Sequence, residues 1–145
     1  MYRYKLERNW EDGSGMLNFI GLNPSTATDT EDDPTIRRCT SIAKSMGFQG
    51  FYMTNLFAAR ATDPKNLLKL DDPIGSQNNE FILEHALKSD LVIAMWGNYG
   101  TYLHRDRLVK HLVPILHCFK LTKEHNPHHV LYLPHSETKS VKCLV

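Results

Sequence analysis

The sequence predicts an α/β fold of three layers, with helices on both faces of a mostly parallel central sheet of about four to five strands. Short apolar runs alternate along the chain with segments whose apolar residues recur at helical spacing, and strands joined by helical crossovers lie parallel. The 145 residues suffice for one sizeable core, so residues 1–145 are read as a single domain. The content of 41% hydrophobic and 23% charged residues sits near globular averages and excludes a disordered or fibrous chain.

Tyr2 to Trp10 alternates polar and apolar residues and reads as a strand. Glu11-Asp12-Gly13-Ser14-Gly15 is a turn, and Met16 to Leu22 is a compact apolar run that Pro24 stops, so the first two strands are candidates for a hairpin. Ser25 to Asp32 is small and polar, a surface loop. Asp33 suits a helix cap and Pro34 a first helical position. Ile36, Cys39, Ile42, Ala43 and Met46 then follow at helical spacing, and Gly47 ends the helix. Phe48 to Thr54 is a second core strand, with Asn55 at its C-terminal end. Asn55 to Pro73 is irregular, with a short helix from Asp63-Pro64 to Leu70. Ser76 begins a helix that Asp90 closes. Leu91 to Met95 is the most strand-like run, and Trp96-Gly97-Asn98 follows it. A helix over Leu103 to His111 precedes two more strands, Pro114 to Phe119 and Val130 to Leu133. The tail after Pro134 is polar.

No apolar run approaches the roughly 20 residues that span a bilayer, so no membrane is expected. Met1-Tyr2-Arg3-Tyr4-Lys5 lacks the apolar segment of a secretory signal. Cys39, Cys118 and Cys143 are odd in number and widely spaced, which argues against a disulfide framework and against a four-cysteine zinc site. A reducing, cytoplasmic setting is the simple expectation. The net charge of +1 is low for a dedicated nucleic-acid binder, so a DNA partner requires basic residues gathered on one face. No Gly-rich phosphate loop of either common type is present, and no cofactor is expected. His125, His128, His129 and His135 are dense and Cys118 is near in sequence, but the spacing fits neither a structural zinc pattern nor HExxH, so no metal is expected.

In parallel sheets ligands bind outside the carboxyl ends of the strands. Those ends carry Asn23-Pro24-Ser25, Asn55-Leu56, Trp96-Gly97-Asn98, Lys120 to Lys123 and His135-Ser136. The site is therefore expected in these loops, chiefly Gly21-Leu22-Asn23-Pro24-Ser25. Asn23 either orients a water or ligand with its amide or bonds its own turn. Ser25, Thr26 and nearby N–H groups suit phosphate, or are solvated loop. Asn55 offers a donor pair and an acceptor to a nucleobase edge, or caps the next turn. Trp96 offers a stacking face, or is packed in the core. Arg37 and Arg38 suit phosphate contacts or a solvated face. Lys123 and His129 read as polar site residues rather than metal ligands.

The stretch Phe19-Ile20-Gly21-Leu22-Asn23-Pro24-Ser25-Thr26-Ala27, then Asp32-Asp33-Pro34-Thr35-Ile36-Arg37-Arg38-Cys39, Asn55-Leu56-Phe57, Trp96-Gly97, Leu121-Thr122-Lys123 and Leu131-Tyr132-Leu133-Pro134 resembles an uncharacterised family of small bacterial and phage proteins. The resemblance covers nearly the whole chain; Val130 departs from it, since a proline commonly stands there. More distantly, the order of motifs is similar to the uracil-DNA glycosylase superfamily, which implies that form of the three-layer fold. Gly21-Leu22-Asn23-Pro24-Ser25 resembles its first catalytic motif in the asparagine variant of the mismatch-specific thymine/uracil enzymes, so Asn23 would hold the attacking water. Asn55, in Met53-Thr54-Asn55-Leu56-Phe57, falls where the superfamily places a base-reading asparagine. Ala94-Met95-Trp96-Gly97-Asn98-Tyr99-Gly100 is similar to a strand ending in Trp-Gly. Val130-Leu131-Tyr132-Leu133-Pro134-His135-Ser136 is similar to the strand leading into a His-Pro-Ser motif, although no proline follows His135. By that resemblance His135 would polarise a carbonyl of the leaving base.

Cleaving an N-glycosidic bond needs a placed water, donors at the base oxygens and an aromatic face for the base. Asn23 supplies the water site; Asn55 and His135 supply base contacts; Phe57, Trp96 or Tyr99 supplies the face. Pro24, Ser25, Arg38, Lys123 and His129 complete the expected substrate contacts. The sequence thus points to a glycosylase-like hydrolase acting on a nucleobase in DNA or in a nucleotide. The alternative is a catalytically inactive module on the same fold that binds a nucleobase, a nucleotide or a protein partner.

Overall fold

In the computed structural model, residues 1–24 and 27–144 are described. The fold is α/β, built on a six-stranded sheet ordered β1-β3-β2-β4-β5-β6. Its strands are β1 (Leu6–Asn9), β2 (Met16–Gly21), β3 (Gly50–Asn55), β4 (Leu91–Ala94), β5 (His117–Cys118) and β6 (Lys142–Cys143). The β3–β2, β2–β4 and β4–β5 pairs are parallel, whereas β1 and β6 pair antiparallel at the two edges. The sheet is therefore mixed and six-stranded, not the mostly parallel sheet of about four to five strands that the alternation of elements predicts.

Both edges depart from the sequence reading for physical reasons. β1 does not form a hairpin with β2; it pairs with β3, Leu6 opposite Met53 and Asn9 opposite Gly50. β2 is apolar and buried almost throughout, so it takes a central place between two parallel neighbours. The connection past Trp10 instead runs beside the entrance to β3, with Trp10 N–H donating to Gln49 O at 2.9 Å and Ser14 N–H to Gly47 O at 3.0 Å. Gly13 stands there at φ +90°, where an added Cβ would lie 2.5 Å from Phe48 O. At the other edge the polar tail supplies β6, two exposed residues with no apolar alternation to announce them.

Val130 to Leu133 is not a strand. Val130–Tyr132 is a 3-10 turn, and Val130 and Leu133, three apart, both insert into the core while Tyr132 between them is exposed. Pro114 to Phe119 contracts to the two residues of β5, since Pro114 lacks an N–H for a ladder.

Helix α1 (Pro34–Ser45) starts as expected: the Asp33 carboxylate accepts the Ile36 N–H at 2.8 Å. Helix α2 spans Asn78–Lys88 and α3 spans Arg105–Leu112. Leu103 and His104 have φ of 54° and 55°, so the chain kinks there and α3 begins two residues later than its apolar pattern suggests. Side chains alternate across the sheet. Leu17, Phe19, Phe51 and Ile93 pack with Ile36, Cys39 and Ile42 of α1. Ile20, Val92 and Ala94 pack on the other face with Ile82 of α2 and Val109 of α3. Among the described residues, no helix is long and apolar enough to cross a membrane.

Candidate functional site

Three parallel strands deliver the site. Gly21 pairs with Asn55 and Ile20 with Ala94, so β3, β2 and β4 end at a common rim. A cleft of about 280 Å³ opens there, near the lower end of the roughly 300–1,000 Å³ typical of small-molecule sites. It is lined by Asn23, Pro24, Asn55, Trp96, Tyr99 and His129, so six of the eleven residues expected at the site from the sequence meet at one place.

Asn55 is 4% exposed, and its side-chain amide has no hydrogen-bond partner among the described residues. The amide lies over Gly21, where an added Cβ would stand 2.8 Å from Asn55 Oδ1. The backbone behind it is clamped. Asn78 Nδ2 donates to Asn55 O at 2.9 Å and to Leu56 O at 3.0 Å. Arg105 Nε donates to Leu56 O at 2.9 Å and its Nη1 to Asn79 Oδ1 at 2.8 Å. Arg105 is 2% exposed, and burial lowers its pKa, though a guanidinium remains a cation.

Asn23 is half-buried. Its Nδ2 donates to Ala61 O at 2.6 Å and Pro24 O at 3.1 Å, which ties the loop after β2 to the segment after β3. Two carbonyl partners fix which end of the amide faces them and leave Oδ1 as the acceptor with spare capacity. Trp96 lines the cleft but is mainly core: it is 2% exposed, and its Nε1 is buried without an acceptor among the described residues.

His129 Nδ1 accepts the Leu131 N–H at 3.1 Å and caps the turn that follows. That bond selects the neutral tautomer with hydrogen on Nε2. Burial first, and then the neighbouring His128, hold the imidazole below its usual pKa, with Asp33 opposing. The exposed rim is aromatic: Tyr99 and Tyr132 both line the cleft, and the Tyr132 ring lies 5.5 Å from that of His129. The loop after β4 is tied to the one carrying His129. Gly97 N–H donates to Pro127 O at 2.8 Å, and Asn98 Oδ1 accepts from Thr122 Oγ1 at 2.7 Å and Asn126 Nδ2 at 3.1 Å.

The other expected residues lie elsewhere. Phe57 is fully buried in the core against Tyr102, their ring centroids 5.6 Å apart, and offers no face to the cleft; Tyr99 and Tyr132 hold that place. Arg38 donates to Leu133 O at 2.8 Å from α1 and holds the segment that replaces the expected strand. Lys123 and His135 are exposed and do not line the cleft. His135 is displaced because Val130–Tyr132 is a 3-10 turn rather than a strand, and the chain continues into a second turn over His135–Thr138 instead of ending at the rim. Ser25, with Thr26, lies outside the described residues.

Arg3 lines the cleft and was not legible as a site residue. It arrives by long-range pairing, Arg3 N–H to Ala58 O at 2.8 Å, and its guanidinium donates to Ala27 O. Among the described lining residues Arg3 is the one with a permanent charge, and none is a carboxylate or a cysteine. Cys39 and Cys118 are buried, and burial raises both thiols, which suits packing rather than nucleophilic attack. No group of three or more His, Cys, Asp or Glu among the described residues gathers to hold a metal ion.

A family model described as "Protein of unknown function (DUF1643)" matches residues 3–131. No curated protein and no solved structure matches the chain.

Proposed function

The chain belongs to the DUF1643 family, and from its cleft we propose a glycosylase-like hydrolase that receives a nucleobase, carried by DNA or by a nucleotide, at the strand-end rim. The observation that carries the reading is the Asn55 amide, buried to 4% exposure beside the cleft and without a partner among the described residues. Because Asn55 lines the cleft, a ligand edge offering one acceptor and one donor would take the place of the water its amide meets there. The glycosylase-like order of the Gly-Leu-Asn-Pro-Ser, Asn-Leu-Phe and Trp-Gly segments supports the same reading and, with it, a uracil-DNA glycosylase-like form of the α/β fold.

In this reading Asn23 Oδ1 accepts a hydrogen from water and turns a lone pair toward the sugar C1′. The water oxygen bonds to C1′ as the C1′–N bond breaks, and that electron pair leaves with the base. The proton shed by the attacking oxygen goes to solvent, and the base takes one from solvent. The Nε2–H of neutral His129 takes the part that the resemblance assigns to His135, donating to a base oxygen as negative charge grows there. An asparagine does not accept the proton at neutral pH, and no described lining residue is a carboxylate, so rates are modest unless the base is an activated leaving group.

The test is a panel of oligonucleotides and nucleotides carrying normal, deaminated and modified bases, scored for free base by chromatography and for alkali-labile strand breaks. The expected outcome is release of one class of base and a loss of roughly 100-fold or more in Asn23→Ala. The binding-module reading is favoured by one observation, the commitment of Asn23 Nδ2 to Ala61 O and Pro24 O, which gives that residue a structural role whether or not a reaction occurs. Wild-type protein that binds a base yet releases none would establish that second reading.

A further inference from the structure

Resting on the nucleobase reading above, we infer that the ligand carries a phosphate seated between Arg3 and Arg60, and that it is a free mononucleotide rather than a nucleic-acid strand. The wall of the cleft that holds Asn23 continues through Ala61 and Thr62, which it shares with an adjoining depression lined by Arg60, Asn66 and Leu70. Asn23 is bonded to Ala61 O, so the base end and this wall meet directly. One arginine thus belongs to the lining on each side of the shared Ala61-Thr62 wall. Neither is within ion-pair distance of a carboxylate among the described residues, and neither depression has a described carboxylate in its lining. The two cations feel each other: after burial, Arg60 is the largest influence lowering Arg3. Like charges held over a shared polar wall favour an anion between them, and guanidinium forks match phosphate oxygens.

The surroundings select a small ligand. Asp29, Glu31, Asp32 and Asp33 form a carboxylate-rich segment whose Asp29 and Asp33 act on Arg3. Arg8, the next cation along, is already paired with Asp32 at 2.9 Å. A nucleic-acid backbone gains affinity by engaging many phosphates in series, and here two arginines without an ion pair among the described residues are followed by a carboxylate-rich segment. The net charge of +1 adds no long-range attraction for a polyanion.

Equilibrium dialysis against thymidine, deoxyuridine, deoxycytidine, deoxyadenosine and deoxyguanosine, their 5′-monophosphates and single- and double-stranded 12-mers tests the inference. The expected result is one base whose monophosphate binds at least tenfold more tightly than its nucleoside and more tightly than any 12-mer containing it. Arg60→Ala, at an exposed position, should remove most of that ratio, and Arg60→Lys should restore part of it. Equal affinity for nucleoside and monophosphate, a ratio untouched in Arg60→Ala, or tighter binding of a 12-mer overturns the inference. Asn55→Asp separates it from the base reading: nucleoside binding that this variant abolishes upholds the base site even when phosphate adds nothing. Absence of binding by every nucleoside and monophosphate overturns both.

Discussion

At Gly21 the absence of a side chain is what admits the Asn55 amide to the cleft. A methyl group there would sit 2.8 Å from Asn55 Oδ1, so Gly21→Ala should displace that amide, weaken nucleoside binding at least tenfold, and cost about 1–3 kcal/mol of stability by overpacking. Dialysis beside a denaturant melt reads both effects. His129 carries a pH dependence of definite sign. Its folded-state pKa lies below the usual 6.5, so as pH falls through that value the unfolded chain takes up a proton that the folded chain refuses. Stability present above 6.5 is therefore lost on acidification, down to the folded-state value. His129→Asn, which keeps an acceptor for the Leu131 N–H, should flatten the Tm profile between about pH 7 and pH 5. Asn23, Asn55 and His129 were legible because each follows or flanks an apolar run with a polar group that has a chemical use. Arg3 was not, because only the fold brings the first residues of the chain beside Ala27 and Ala58.

Among the elements, α2 and α3 act on the cleft from behind. Asn78 opens α2 and Arg105 opens α3, and both donate to the Leu56 carbonyl just past β3. Asn78→Ala removes two donors from buried carbonyls and should cost about 1–3 kcal/mol, read as a lower denaturation midpoint at unchanged m-value. Strands β2, β3 and β4 were readable because each is a nearly continuous apolar run, the mark of a strand covered on both faces. The edges were not. β1 carries ordinary alternation that fits a hairpin as well as a partner one strand further on, and β6 has too few residues to carry any pattern. Val130-Leu131-Tyr132-Leu133 misleads because an apolar run of that length serves equally as a strand or as a pair of core plugs.

At the scale of the whole molecule, the sheet is strongest where its strands are longest and weakest at its last edge. Amides of β2 and β3 should exchange with solvent only on global unfolding, and those of β6 by local opening, which a native-state hydrogen-exchange series would resolve. The fold class was legible because it follows from the order of apolar and periodic segments, whereas the sense of the edge pairs depends on where short connections run. The ties between neighbouring loops have a consequence for recognition. With Asn23 fastened to Ala61, Gly97 to Pro127 and Asn98 to both Thr122 and Asn126, the mouth of the cleft is already a standing shape before anything occupies it. Its ordering entropy is spent during folding, so a guest finds few loose segments to arrange, and rival guests differ more in how long they stay than in how fast they arrive.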